Sequence, residues 1–241
     1  MTLEARDLTL PGRLEAVSAT LLPGEVTAIV GPNGAGKSSL LAALAGLEGG
    51  TVQLDGRALV DLPARERACA IGYLPQAGDV AWNVSVETLA QLGRLPHRTG
   101  LAEDSAEVAA ALAALGLDHL RGRPVGQLSG GERARALLAR VLAGTPRWVL
   151  ADEPLASLDL AHQQTLLRHF RALAAEGRGV GLVLHDLAQA MNHADRVIVL
   201  SAGRVVAEGA PDTVLDEALI GRIWGLSGRW LGEPRARALA C

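Results

Sequence analysis

The segment GPNGAGKS, Gly31 to Ser38, limits what this chain can be more than any other stretch. It follows a short apolar run, EVTAIVG (Glu25 to Gly31), and leads into SSLLAALAGL (Ser38 to Leu47), which reads as a helix. Glycine, four residues, then Gly-Lys-Ser, set between a strand and a helix, is the spacing of a phosphate-binding loop. Its glycines let backbone N–H groups point inward at an anion, and the helix N-terminus adds its positive end. Gly31, Pro32, Asn33, Gly34, Ala35, Gly36, Lys37, Ser38 and Ser39 are therefore candidate nucleotide-binding residues. Lys37 would reach the β- and γ-phosphates, and the Ser38 hydroxyl would ligate Mg²⁺. Of the 23 lysine and arginine residues, Lys37 is the single lysine. A planar guanidinium suits bidentate pairing from the side, whereas a loop wrapped around a triphosphate has room for a compact ammonium on a thin stem.

The rest of the chain supplies a sheet to carry this loop. LEARDLTL (Leu3 to Leu10) alternates apolar and polar residues, as a half-exposed strand does. Short apolar runs recur at TVQLDG (51–56), AIGYLPQ (70–76), RWVLAD (147–152), GVGLVLH (179–185), RVIVL (196–200) and RVVAEG (204–209), and helical segments separate several of them. Strands alternating with helices imply a mostly parallel sheet covered on both faces. From about Trp82 to Arg133 helix-forming residues dominate, which reads as a helical subdomain inserted into the sheet domain. The expected organisation is one domain over 1–241, with a nucleotide-binding core of 1–80 and 134–241 and a helical subdomain of 81–133.

Charge and cysteine content narrow the function classes. The net charge of −3 gives no electrostatic reason to expect nucleic acid as a partner. Cys69 and Cys241 lie far apart, which fits reduced thiols in a cytosolic protein better than a disulfide. The N-terminus is charged where a signal peptide would need an apolar run. No stretch approaches the roughly 18 uninterrupted apolar residues of a spanning helix. Any contact with a membrane is thus expected to run through another subunit.

Beyond the phosphate loop, QLSGGERARALLARVL (Gln127 to Leu142) holds LSGGE, with Leu128, Ser129, Gly130, Gly131 and Glu132 at the expected start of a helix. Gln76 closes the strand AIGYLP, WVLADEP places Asp152 and Glu153 at a strand end, ASLD ends in Asp159, and VLHD contains His185. In this order these segments resemble the signature, Q-loop, Walker B, D-loop and switch histidine of the ATP-binding cassette (ABC) ATPases, and the resemblance covers essentially the whole chain. It implies a P-loop NTPase-type, mostly parallel α/β core with an N-terminal antiparallel β subdomain and an inserted α-helical subdomain. It also implies ATP as substrate with Mg²⁺ held by Ser38, Gln76 and Asp152. Glu153 would polarise the attacking water, His185 would bind the γ-phosphate, and Gln76 would touch metal and water. Ser129 would complete the site of a second copy, giving a homodimer around two ATP molecules with Asp159 at the seam.

The sequence departs from that family upstream of the loop, where most relatives carry an aromatic residue that stacks on adenine. Residues 1–30 contain no Phe, Tyr, Trp or His. Either Arg13 or an aliphatic side chain covers the base, or the base is held loosely. Ala134 and Ala151 also replace commoner family residues without removing a catalytic group.

GRLPH, Gly93 to His97, resembles the GRxPH of importers for ferric siderophores, haem and vitamin B12, and the tail from Ala202 to Gly225 resembles that group too. As a bare sequence GRLPH also reads as a helix terminator. The implied partners are permease subunits docking near residues 77–100 and, indirectly, a substrate-binding protein, at the cytoplasmic face of the inner membrane. The end of the chain soon after the sheet leaves no room for a long regulatory domain. The alternative is a soluble ABC ATPase driving assembly, as in iron–sulfur cluster biogenesis. The remaining histidines, His97, His119, His162, His169 and His193, lack metal-ligand spacing, and Cys69 reads as a small buried residue. Trp148 is expected to start a core strand, Trp224 and Trp230 to anchor the C-terminal segment, and Trp82 to be either exposed for docking or buried.

Overall fold

The computed structural model describes residues 2–76, 83–97, 101–156 and 158–241. Trp82, Ser157 and part of the expected docking segment lie outside the described residues. The chain runs β1 (Leu3–Leu10), β2 (Leu14–Leu21), β3 (Val26–Val30), α1 (Lys37–Leu44), β4 (Val52–Leu54), β5 (Arg57–Ala58), α2 (Ala64–Ala70) and β6 (Ile71–Leu74). The helical middle follows as α3 (Val86–Gln91), α4 (Leu101–Ala114) and α5 (Gly130–Ala143). Then come β7 (Trp148–Asp152), α6 (Leu160–Ala175), β8 (Gly179–Val183), α7 (Leu187–His193), β9 (Arg196–Ser201), β10 (Arg204–Gly209), α8 (Pro211–Val214), α9 (Glu217–Trp224), β11 (Arg229–Leu231) and β12 (Ala238–Ala240).

Two sheets carry the core. One has the order β2-β1-β4-β5 and is antiparallel throughout. The other has the order β10-β9-β3-β8-β7-β6, parallel except for its edge strand β10. Every residue of β3, β7 and β8 is buried, so these strands are predominantly apolar rather than alternating, with Thr27 in β3 and Asp152 at the end of β7 as the buried polar exceptions. β1 packs one face only, and its alternation survives as Leu3, Ala5, Leu8 and Leu10 turned inward. With aromatics scarce, the core is filled by Leu, Val, Ile and Ala around Trp148 and Phe170, both 2% exposed or less. Trp148 starts β7, as expected. It packs so closely on β8 that a Cβ added at Gly179 would sit 2.0 Å from its ring.

The strand order does most to build the site. β6, β7, β8 and β3 lie side by side and point the same way, so their carboxyl ends open onto one edge of the sheet. α5 runs through position 133, the expected boundary between core and helical subdomain. Cys69 is half-buried rather than buried, because α2 presents it on a flank of the helix beside the inward-turned Ala70. Both cysteines are free thiols. After the sheet, β11 and β12 pair as a hairpin that the sequence pattern did not reveal. Trp230 anchors it through an Nε1–H bond to the Leu215 carbonyl (2.6 Å), and Asn192 clamps the Arg237 backbone with two bonds of 2.8 Å.

Candidate active site

Asn33 to Ser39 line a cleft of about 540 Å³ together with Gly12, Arg13, Gln76, Glu153 and His185. Each element delivers its part from a strand end. β3 leads into the loop, where Gly31 has φ +154 and an added Cβ would lie 2.1 Å from the Leu200 carbonyl oxygen. Gly36, at φ +96, faces the Arg13 carbonyl at 2.8 Å from its notional Cβ, so the turn between β1 and β2 sits directly on the loop. No side chain fits at either position without moving backbone.

Lys37 is 5% exposed and donates from Nζ to the carbonyls of Gly31 (2.9 Å) and Pro32 (3.0 Å). Burial lowers its pKa, and the nearby carboxylates of Glu153 and Asp152 partly offset that effect. The ammonium is thus threaded through the loop with two of its three protons on loop carbonyls, which leaves donor capacity for a phosphate.

Asp152, at the end of β7, is 4% exposed and its Oδ1 has no hydrogen-bond partner. Burial raises its pKa, against the Ser38 hydroxyl, which lowers it. A buried carboxylate oxygen without a partner is costly, and a divalent cation relieves that cost. The Ser38 hydroxyl beside a desolvated carboxylate is an oxygen donor set that fits Mg²⁺. Asp152→Asn removes the buried charge. It is expected to raise the melting temperature of nucleotide-free protein by a few degrees, about 1 kcal/mol. The same change should abolish the extra thermal stabilisation that Mg²⁺ gives the ATP-bound protein. A differential scanning fluorimetry series with ATP, with and without EDTA, checks both.

Glu153 follows in the left-handed region at φ +49, a conformation that costs a non-glycine residue roughly 1–2 kcal/mol. The twist turns its carboxylate back over the strand ends. Gln76 Nε2 donates to Oε2 at 2.6 Å, and His185 Nε2 contacts Oε1. The Q-loop glutamine, the carboxylate after β7 and the histidine after β8 thus form one hydrogen-bonded group facing the loop. Sequence order set these residues 77 and 32 positions apart.

Leu128 to Glu132 contribute nothing to this cleft. Ser129 is exposed and caps α5: its Oγ accepts from Glu132 N (3.3 Å), while Glu132 Oε2 accepts from Ser129 N (2.8 Å). These hydrogen bonds from Ser129 hold the Glu132 carboxyl below its usual range. Ser129 is thus held at the exposed start of α5 by Glu132 through both its backbone N–H and its hydroxyl. Asp159 caps α6 by accepting from His162 N at 2.9 Å, and the adjoining Leu160 is 78% exposed.

Arg13 lines the cleft, and its guanidinium grips Glu48 with two bonds of 2.7 and 3.0 Å. Glu48 was not singled out in the sequence. It is 35 residues away, on a loop with no pattern of its own, so nothing in the chain pointed to it.

The model for the ABC transporter domain matches residues 14–156. The chain belongs to the ABC transporter family. A hemin import ATP-binding protein from Gloeobacter violaceus is 46% identical over 240 residues, covering 94% of this chain and 87% of that protein. One from Myxococcus xanthus is 45% identical over 254 residues, with 97% and 95% covered. Among solved structures, a bacterial ABC transporter cassette determined as a dimer superposes with a TM-score of 0.79 at 26% identity, covering 88% of this chain and 99% of the other. The chain is an ATP-binding subunit and ATPase of the importer class, and the reading as a soluble assembly ATPase gives way. Among the described residues, no helix is long and apolar enough to cross a membrane.

Proposed function

We propose that this chain forms a homodimer that binds and hydrolyses two ATP molecules and so drives uptake of haem or a related metal chelate through a separate permease. The observation that carries the dimer is the separation of the two half-sites. The cleft holds the phosphate loop, Gln76, Glu153 and His185, while Ser129 stands outside it, exposed at the start of α5. A second copy related by a two-fold axis brings its own Ser129 and α5 N-terminus to this cleft, and exposed Leu160 beside Asp159 is apolar surface such a contact covers.

Within each cleft the backbone of Gly34 to Ser39 and the Lys37 ammonium take the triphosphate. Glu153 accepts hydrogen bonds from Gln76 and His185, which fixes it to polarise a water in line with the γ-phosphate. Ser38 and Asp152, with Gln76, would hold Mg²⁺, which would supply charge neutralisation at the phosphates. The protein's own work is positioning and exclusion of bulk water on dimer closure.

Arg13 covers the base. Its charge is already committed to Glu48, so it offers a flat, neutralised face rather than a further phosphate hook. A face of this kind accepts any purine. ATP and GTP are expected to bind within about threefold of one another, and Arg13→Ala should weaken both about tenfold, as loss of a stacking partner does. Fluorescence titration with both nucleotides checks this; a large preference for ATP excludes a plain stacking platform.

The permease docks against the segment 77–100, at the cytoplasmic face of the membrane. A groove of about 350 Å³ there is lined by Tyr73, Leu92, Leu95, Pro96, Val141 and Pro146, and Leu95 is 72% exposed. The subunit is therefore peripheral, held by that contact. The substrate class rests on the resemblance of GRLPH and on the hemin-import relatives. Uptake of haem against siderophore by vesicles holding the full transporter tests it directly.

A further inference from the structure

Arg94, the second residue of GRLPH, has a side chain only 4% exposed. It does not face the groove that its neighbours line. Its Nε donates to Asp104 Oδ1 on α4 at 2.8 Å, and its Nη1 donates to the carbonyl of Ala143, the last residue of α5, at 3.1 Å. The same nitrogen reaches Thr145 Oγ1 at 3.4 Å. Just before it, Gly93 lies so close to α5 that an added Cβ would be 1.9 Å from the Arg140 carbonyl oxygen. From the other side Arg65, on α2, donates to the carbonyls of Pro96 (2.5 Å) and His97 (2.6 Å).

The two ends of α5 give this arrangement its consequence. Its C-terminus receives Arg94, and its N-terminus is capped by Ser129, the group offered to a partner's ATP. A helix of 14 residues is a stiff rod of about 21 Å. A guanidinium at the C-terminus also meets the negative end of the helix dipole, so the join is electrostatically favourable as well as hydrogen-bonded. Leu95 and Pro96, which face the groove, are one and two residues from Arg94. Displacement of the groove wall therefore has a short covalent and hydrogen-bonded route into α5.

We propose that Arg94 is a positioning residue that joins the docking segment to the signature helix, so that occupancy of the groove is felt at Ser129. The inference rests on the importer reading above. Arg94 touches neither nucleotide nor partner; it acts by making the short turn at Leu92–Arg94, α4 and α5 move as one piece. Lysine cannot reproduce the fork that meets α4 and α5 together.

The test uses the subunit alone and assembled with its permease in lipid vesicles, comparing wild type, Arg94→Lys and Asp104→Asn. Asp104 is the more exposed partner, so Asp104→Asn weakens the join with less risk to folding. Thermal melts of all three confirm the folded state. Both variants are expected to keep the ATPase rate of the free subunit and to co-purify with the permease. Stimulation of that rate by the permease should fall roughly three- to thirtyfold in Arg94→Lys, and less in Asp104→Asn. Wild-type stimulation in both folded variants overturns the proposal alone. So does loss of co-purification, because it makes Arg94 part of the docking surface. A wild-type subunit that the permease neither binds nor stimulates overturns the importer reading together with this one.

Discussion

Glu153→Gln is expected to lower the ATPase rate by roughly two to four orders of magnitude, the range of a lost general base. Nucleotide affinity should stay within a few-fold of wild type. The substitution keeps size and keeps an oxygen to accept from Gln76, while removing the charge that polarises water. The phosphate loop is untouched, so ATP still enters, but the closed dimer has no route to ADP. Size-exclusion chromatography with ATP should therefore show a stable dimer in the variant and a transient one in wild type. Turnover within threefold of wild type would remove Glu153 from the chemical step. The left-handed backbone at this residue gives a second check, because Glu153→Gly should relieve strain and still lose turnover.

Lys37→Arg, although it preserves the charge, is expected to cost close to a hundredfold in ATP affinity, about 2–3 kcal/mol. The buried ammonium fills a channel bounded by the Gly31 and Pro32 carbonyls, and the loop glycines leave it no slack. A guanidinium is wider and flat, so it either pushes the loop open or withdraws from the phosphates. Isothermal titration with a slowly hydrolysed ATP analogue reads the loss directly. Wild-type affinity would show that the loop tolerates a planar cation, and the single lysine of the chain would then be an accident of composition.

Much of this site is legible in one dimension because phosphate binding is local. Gly31, Gly36, Lys37 and Ser38 work through backbone conformation and helix start, both fixed by near neighbours in sequence. The cap at Ser129 is equally local: a serine followed three residues later by glutamate is readable as a helix start wherever it occurs. The same holds for the strands, whose predominantly apolar runs at β3, β7 and β8 announce burial on both faces.

Arg94, Arg13 and Glu48 are a different matter. As a residue of GRLPH, Arg94 read as part of a docking motif, or of a helix stop. Only packing turns it inward to Asp104 and the end of α5. The pairing of Arg13 with Glu48 joins two loops without periodicity, so no pattern marks it. Cys69 shows the converse, since a residue type that is usually buried lies half-exposed on a short helix whose orientation the core decides.

The sequence by itself determined the phosphate loop and the family and singled out the candidate catalytic side chains, because each resides in a short contiguous motif with its own backbone chemistry. The tertiary structure decided how those motifs meet. The order β6-β7-β8-β3 brings Gln76, Glu153, His185 and Lys37 to one edge, whereas the path of α5 keeps Ser129 away from it. Strand order and helix direction arise from burying two apolar faces at once, a condition on the whole chain that no local stretch encodes.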